Sequence, residues 1–355
     1  MQNDLSMSRP DEDAGEKRIS IIIPNYNKAS TVGKCLEAAY ASDYNNFEVI
    51  VVDDCSTDNS IEVIKKFPCT LISLEHRSGT SKARNGGARR STGEFLFFTD
   101  SDCLLLPDTL SITNKTLLEL ASAFAADEEA LKKVVLGGTY TTVPYDRDFF
   151  STFQSAYINY SETKRVAPDY IAAHAMVVHI ETFTKSGGFP ENFLPIIEDV
   201  EYSHRLRKGG HRLVMNPAIQ VQHIFRFSLG RSLKNAFRKS KYWNIYSLQN
   251  RDMLSDSGTA SVELKADVGF SFISLMLFVM WMFSQEMIFL TVIPVVFLMN
   301  AFISRRLLKA FYETKGCLFA AAAFLYYALV YPFPVGAGVL AGIVEYFFFA
   351  RRFRI

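Results

Sequence analysis

Glu94-Phe95-Leu96-Phe97-Phe98-Thr99-Asp100-Ser101-Asp102-Cys103 decides how the rest of the chain is read. Phe95 to Phe98 is an apolar run of strand length. Carboxylates directly after it fall at the carboxyl end of that strand, the rim where α/β sheets bind ligands. On a segment that stays extended, residues i and i+2 point the same way, so Asp100 and Asp102 are expected to reach one hard divalent cation together. A lone Asp-x-Asp is also an ordinary polar turn, and only its company separates the two readings.

The company lies upstream. Ser20-Ile21-Ile22-Ile23-Pro24 is a short strand stopped by proline, and Ala29 to Ala41 carries Val32, Cys35, Leu36 and Tyr40 at helical spacing. Phe47 to Val52 is a second strand, followed by a helix from about Ile61 to Phe67. Cys69 to Leu74 supplies a third strand and Ser81 to Arg90 a third helix. Strands alternating with helices predict an α/β chain with a doubly wound, mostly parallel sheet.

The strand ends carry the chemistry. Pro24-Asn25-Tyr26-Asn27 follows the first strand, Asp53-Asp54 the second and Asp100-Ser101-Asp102 the fourth, which places all three sets on one rim. Asp53 and Asp54 offer acceptors for a base N–H or ribose hydroxyls, and Tyr26 offers a flat apolar face. Asp58 equally suits a helix cap. Arg77-Ser78-Gly79-Thr80-Ser81-Lys82-Ala83-Arg84-Asn85-Gly86-Gly87 opens the third helix, whose free N–H groups favour an anion alongside Arg77, Lys82 and Arg84. It has neither the Gly-Lys-Ser/Thr of a P-loop nor a Gly-x-Gly-x-x-Gly.

Further on, Gly187-Gly188-Phe189-Pro190 precedes Glu198-Asp199, acids placed where a helix begins. The strand with its proline, Asp-Asp, Asp-x-Asp, and Gly-Gly-Phe-Pro followed by Glu-Asp occur in one order. Together they resemble the inverting family 2 glycosyltransferases of GT-A fold, over about residues 18 to 225. The resemblance implies that Pro24, Asn25, Tyr26, Asp53, Asp54, Arg84 and Asp100 serve the nucleotide-sugar donor, and Asn27, Arg77, Lys82 and Asn85 of the rim and the loop are donor candidates beside them. It implies a divalent metal, Mn²⁺ or Mg²⁺, held by Asp100, Asp102 and His223. It makes Asp199 the general base with Glu198 beside it, and the Asp53-Asp54 pair resembles that of members using UDP sugars.

Composition divides the 355 residues unevenly, and the net charge of +1 indicates no particular partner. Five scattered cysteines lack metal-site spacing and fit a reducing compartment. Val268 to Ile303 is apolar except around Ser284-Gln285-Glu286, and Gly316 to Ala350 is apolar but broken at Pro332-Phe333-Pro334. Both stretches read as membrane segments. Arg305-Arg306, Lys309 and the cations of 351–355 point to a cytosolic catalytic side and an even number of crossings, although the short last stretch leaves three crossings open. The expected organisation is a disordered leader at 1–17, a catalytic domain at 18–224, a basic interfacial helix or linker at 225–265, membrane helices at 266–350 and a basic tail at 351–355.

Between Phe225 and Trp243 the cations alternate with aromatics, as suits a helix in the bilayer interface; nucleic acid is not expected, because no motif for it is present. Arg238, Lys241 and Trp243 are candidates for the acceptor or its phosphate. Arg238-Lys239-Ser240-Lys241-Tyr242-Trp243 departs from the Gln/Arg-x-x-Arg-Trp pattern of family members that extend polysaccharides. The expected activity is therefore transfer of one sugar to a lipid or lipid-linked glycan in the membrane. The alternatives are a small processive polysaccharide synthase and a non-catalytic scaffold that binds a nucleotide sugar.

Overall fold

A computed structural model describes residues 15–348 except Ala126, Phe193 and Leu254. Most of the expected leader and the whole basic tail lie outside the described residues. The strands are β1 (Ile19–Asn25), β2 (Phe47–Asp53), β3 (Thr70–Ser73), β4 (Phe95–Phe98), β5 (Cys103–Leu105), β6 (Val134–Tyr140), β7 (Met176–His179) and β8 (Arg212–His223). Helices α1 (Val32–Tyr40), α2 (Ser60–Ile64), α3 (Thr80–Ala88), α4 (Thr109–Ala123), α5 (Glu128–Lys132), α6 (Phe149–Thr163), α7 (Ile180–Lys185) and α8 (Glu198–Lys208) lie among them. Then come α9 (Leu229–Asn250), α10 (Val262–Ser284), α11 (Ile288–Ile303), α12 (Arg305–Leu329) and α13 (Pro332–Phe348).

One sheet runs β3-β2-β1-β4-β7-β6-β8-β5. Its amino-terminal half is parallel, as the alternating pattern requires: β2 pairs with β3, and β1 with both β2 and β4. Beyond β4 the expectation of a mostly parallel sheet fails. β7 is antiparallel to β4 and β6, and β5 to β8, while β6 and β8 are parallel, so the sheet is mixed. Proline is tolerated inside β1 because β4 pairs only as far as Ile22, which leaves no partner on that side for the N–H that Pro24 lacks.

Of the carboxy-terminal helices, α9, α12 and α13 contribute buried side chains to the core of the sheet domain. Phe153 of α6 packs against Phe311, Tyr326 and Tyr331. Glu263 at the base of α10 pairs with Lys164, and Asn300 near the end of α11 donates to Asp267 in the second turn of α10, so the hairpin leaves the sheet domain and returns to it at one place. Gln285, in the left-handed region at φ 57°, makes the turn between α10 and α11. Lys315 and Gly316 break α12, and Lys315 donates to the carbonyl of Arg147. α13 runs parallel to α9, because Gly338 meets Phe237 and Gly342 meets Lys241 one turn further along both helices. A Cβ on Gly338 would lie 2.4 Å from the Phe237 carbonyl oxygen, so only glycine permits this approach.

Among the described residues, two helical stretches are long and apolar enough to cross a membrane, Val262–Ser284 and Arg305–Phe348. Of their most apolar windows, 6% of the first is buried and 44% of the second, so α10 is the more exposed.

Candidate active site

The Asp-x-Asp segment is a turn. Cys103 N–H donates to the Asp100 carbonyl at 2.9 Å, closing the chain between β4 and β5. Extended alternation does not survive this turn, so the expectation that Asp100 and Asp102 face one way is corrected. Asp100 receives Arg84 Nη2 at 2.7 Å. Asp102 receives Lys28 Nζ at 2.6 Å, with His223 Nε2 at 3.4 Å from its other oxygen. His223 is set there by register, since Cys103 of β5 pairs with His223 of β8.

Arg84 is 4% exposed on α3 and joins two distant segments, reaching Glu198 Oε1 at 2.5 Å through its other terminal nitrogen. Partial burial works against an ionised Asp100, but the Arg84 charge outweighs it and holds the carboxyl below its ordinary range. Burial pushes Glu198 up, and the neighbouring Asp199 adds to this while Arg84 opposes it. Glu198 is thus occupied as the partner of Arg84. Asp199 is half-buried, accepts Ala173 N–H at 3.1 Å and lines the cavity. Directly before this pair, Ile197 sits at φ 67°, ψ 22°, a conformation that β-branched residues rarely adopt. The strain fixes where α8 begins, and so where both acids point.

A cavity of about 230 Å³ brings Arg84, Asp100, Glu198 and Asp199 together. Its lining also includes Tyr140, Glu162, His174 and Tyr170 from the stretch the motifs leave unassigned. His174 stacks on Tyr140 at 3.8 Å between ring centres, with Nε2 3.3 Å from Glu162. Trp243 and Lys239 of α9 close the mouth.

Other candidates fall into place around the rim. Asp53 is fully buried and accepts from Asn25 Nδ2 and from the N–H and hydroxyl of Ser56. Asp54 accepts Ser78 and Gly79 N–H at 2.6 and 2.8 Å, so these groups, expected to be free for an anion, already have a carboxylate. Arg77 lies over the Tyr26 ring at 4.1 Å, and the Asn27 side chain accepts Thr57 N–H. Lys82 is half-exposed on α3. Asn85, expected at the donor, faces inward instead: Phe189 N–H donates to its Oδ1, and its amide donates back to the Phe189 carbonyl, pinning the Gly-Gly-Phe-Pro turn. Gly188 has φ 67°, and a Cβ there would lie 2.6 Å from Asn85 Oδ1. Lys241, expected at a phosphate, is drawn to Glu345 of α13, and Arg238 is exposed and lines none of the cavities described here.

Lys28 and Lys239 are functional candidates that the motif reading passed over. Lys28 directly follows the rim residue Asn27; Lys239 lies four residues before Trp243, hence on the same helix face.

Asp102 and His223 suit a divalent cation. Burial lowers the His223 pKa, favouring the neutral imidazole that binds metals, and its Nδ1 is buried without a partner. Lys28 supplies the positive charge that Asp102 demands. Cys103 lies within 4.8 Å of the same atoms, but burial pushes its thiol well up, which makes it a poor ligand for a hard cation.

Residues 20–126 match the family described as Glycosyl transferase family 2. An uncharacterized glycosyltransferase of Haemophilus influenzae is 35% identical over 136 residues, which cover 38% of this chain and 46% of that protein. Glycosyltransferase AglE of Haloferax volcanii is 28% identical over 63% of this chain and 72% of its own. The chain spans less than half the length of the first curated relatives it matches. Among solved structures, the mannosyltransferase PcManGT of Pyrobaculum calidifontis superposes with a TM-score of 0.53 at 20% identity, covering 93% of this chain and 87% of that one. Residues 20–126 thus form a segment similar to the family 2 glycosyltransferases, set within a GT-A-like fold.

Proposed function

We propose that this chain moves a single sugar, with inversion, from a nucleoside diphosphate sugar to an acceptor held at a membrane. The observation that carries the proposal is one cavity lined by both Asp100 and Asp199, with the Arg84 cation between Asp100 and the Glu198 next to Asp199. An acceptor hydroxyl attacks the anomeric carbon as the bond from that carbon to the diphosphate oxygen breaks. Asp199 takes the hydroxyl proton, and the electron pair leaves with the diphosphate. Arg84 holds positive charge beside the departing group, and Arg77 and Lys82 add to it from the rim. A divalent cation, Mn²⁺ or Mg²⁺, bound at Asp102 and His223 would neutralise the same diphosphate. The Pyrobaculum protein was solved with GDP-Man and Mn²⁺, in keeping with this class of donor. The Asp53-Asp54 pair makes UDP sugars the first to test.

Association with a membrane rests on the α10–α11 hairpin. Phe283 is 87% exposed, and Met276, Ile288, Leu298 and Phe302 are exposed with it, more apolar surface than a soluble domain leaves uncovered. At ~1.5 Å per residue the sixteen residues of α11 reach roughly 24 Å, somewhat less than the ~30 Å hydrocarbon layer. α12, α13 and α9 stay against the sheet domain as a platform, which keeps an even number of crossings and a cytosolic catalytic face with Arg305 and Arg306 beside it.

Purified full-length protein, melted with UDP, GDP and dTDP sugars and Mn²⁺, is expected to be stabilised by one nucleotide class, and to release that nucleoside diphosphate when acceptor is present. Stabilisation by none of them would remove the reading. Binding without release would favour a scaffold, and a ladder of products a processive synthase.

A further inference from the structure

The catalytic cavity does not end at Lys239 and Trp243. Those residues and Thr259 also line a second, narrow cavity of about 40 Å³. This neck in turn shares Ser240, Trp243, Ala260 and Leu264 with a third cavity of about 250 Å³. Trp243 lines all three, so they lie next to one another between Asp199 and the groove of α9, α10 and α13. The chemistry changes along it. The first cavity holds four carboxylates, Asp100, Glu162, Glu198 and Asp199, flanked by the rings of Tyr140 and Tyr170. Such walls bind neutral hydroxyls and a sugar face; Arg84 in the same lining is paired with Asp100 and Glu198 and serves the donor diphosphate, which leaves Lys239 for a phosphate on the acceptor. At the neck stands Lys239, with no ion-pair partner among the described residues, and Gln154, 2% exposed with Oε1 unpaired. The last groove is walled by Leu264, Val268, Val335 and Val339, at the root of the exposed α10–α11 hairpin.

We propose that the acceptor is a sugar joined through phosphate to one hydrocarbon chain. Its sugar lies before Asp199, its phosphate at Lys239 and its chain in the α9–α10–α13 groove. The neck is narrow enough to admit a single chain, which separates this acceptor from the two-chain lipids of a bilayer. The inference rests on the reading of the first cavity as the site of sugar transfer. In the transfer step the hydroxyl of the acceptor sugar forms the new glycosidic bond. The phosphate and chain take no part in bond making, and anchor the acceptor.

The test uses the full chain in nanodiscs, with Trp281→Phe leaving Trp243 as the one tryptophan. Farnesyl phosphate, the probe for chain plus phosphate, is expected to change Trp243 emission saturably. Farnesol, lacking phosphate, and inorganic phosphate or glucose 1-phosphate, lacking the chain, are each expected to bind about tenfold or more weakly, as loss of one charge-assisted contact implies. Lys239→Gln, at an exposed position, is expected to weaken farnesyl phosphate about tenfold and leave farnesol unchanged. Ala260→Phe, which fills the passage without adding a tryptophan, is expected to abolish both. Equal binding of inorganic phosphate, equal competition by two-chain phosphatidic acid, or no saturable response would overturn the proposal. Nucleotide-sugar binding measured on the same samples separates the two readings. If it persists while farnesyl phosphate fails, only the acceptor assignment falls; if it too is absent, the transfer site itself falls.

Discussion

Asp100 and Asp102 are separated by one residue and answer to different cations: Asp100 to Arg84 at 2.7 Å, Asp102 to Lys28 at 2.6 Å. The turn between them divides the labour of the motif. Asp102→Asn is expected to weaken Mn²⁺ binding at least tenfold, read by the loss of bound-metal signal in electron paramagnetic resonance, because it removes the charged ligand beside His223. Asp100→Asn is expected to change Mn²⁺ affinity much less and to lower the melting temperature instead. Equal losses of metal affinity would put both carboxylates on the cation.

Arg84 carries the largest single electrostatic burden in the site. Arg84→Met leaves Glu198, 14% exposed, and Asp100 facing each other without the intervening cation. Breaking a buried pair of this kind costs about 3–5 kcal/mol, read as a shift in the urea midpoint. Arg84→Lys is expected to recover only part of it, since one ammonium does not reproduce the two-armed bridge. Unchanged stability in the methionine variant would show that the bridge contributes nothing net.

Asp199→Asn keeps the acceptance of Ala173 N–H while removing the base. Sugar transfer is expected to fall by ~100-fold or more, with the affinity for the donor nucleotide within a few-fold of the parent. Full transfer by this variant would move the base elsewhere, and Glu162 in the same cavity would be the next residue to test.

His179 gives the protein a pH-sensitive component away from the site. Its Nδ1 accepts Glu181 N–H at 3.2 Å at the start of α7, and its ring meets Phe95 edge-on. Burial lowers its pKa below 6.5, with Lys132 and Lys17 acting the same way and Glu94 and Glu181 opposing. The folded pKa lies below the unfolded one, so the unfolded chain takes up the proton first as pH falls. The associated stability is therefore complete above about 6.5 and is lost on the way down to the folded pKa, at about 1.4 kcal/mol per pH unit. His179→Asn retains a capping acceptor without the titration. The difference in urea midpoint between pH 7.5 and 5.5 is expected to shrink in that variant; an unchanged difference would assign the effect to another group.

The α9–α13 contact depends on Gly338. Gly338→Val is expected to cost about 1–3 kcal/mol and to lower the melting temperature in detergent, because its Cβ would press on the Phe237 carbonyl. Gly269→Ala, in α10 with nothing within 4 Å of its added carbon, is the control and is expected to melt no lower than the parent. Similar melting of both variants would show that α9 and α13 separate at little cost.

The local pattern determined the first half of the sheet and the residues worth watching. Apolar runs of strand length alternating with helical spacing leave few arrangements, and β1 to β4 with α1 to α3 follow them closely. Carboxylates at strand ends are legible for the same reason, because a parallel sheet puts those ends on one rim. Tertiary structure decided what local spacing does not encode. The Asp100–Cys103 turn breaks the two-residue period, the β5–β8 register brings His223 to Asp102, and Arg84 joins segments with no sequence relation. Asn85 looks like a ligand in its loop and becomes a staple only when the Phe189 turn packs on it. Lys239 rather than Lys241 faces the cavity because Glu345, on a helix folded back from the far end of the chain, claims Lys241. Sequence names the charges, but which charge meets which depends on long-range packing, and that packing is set by the summed burial of many side chains rather than by any one motif.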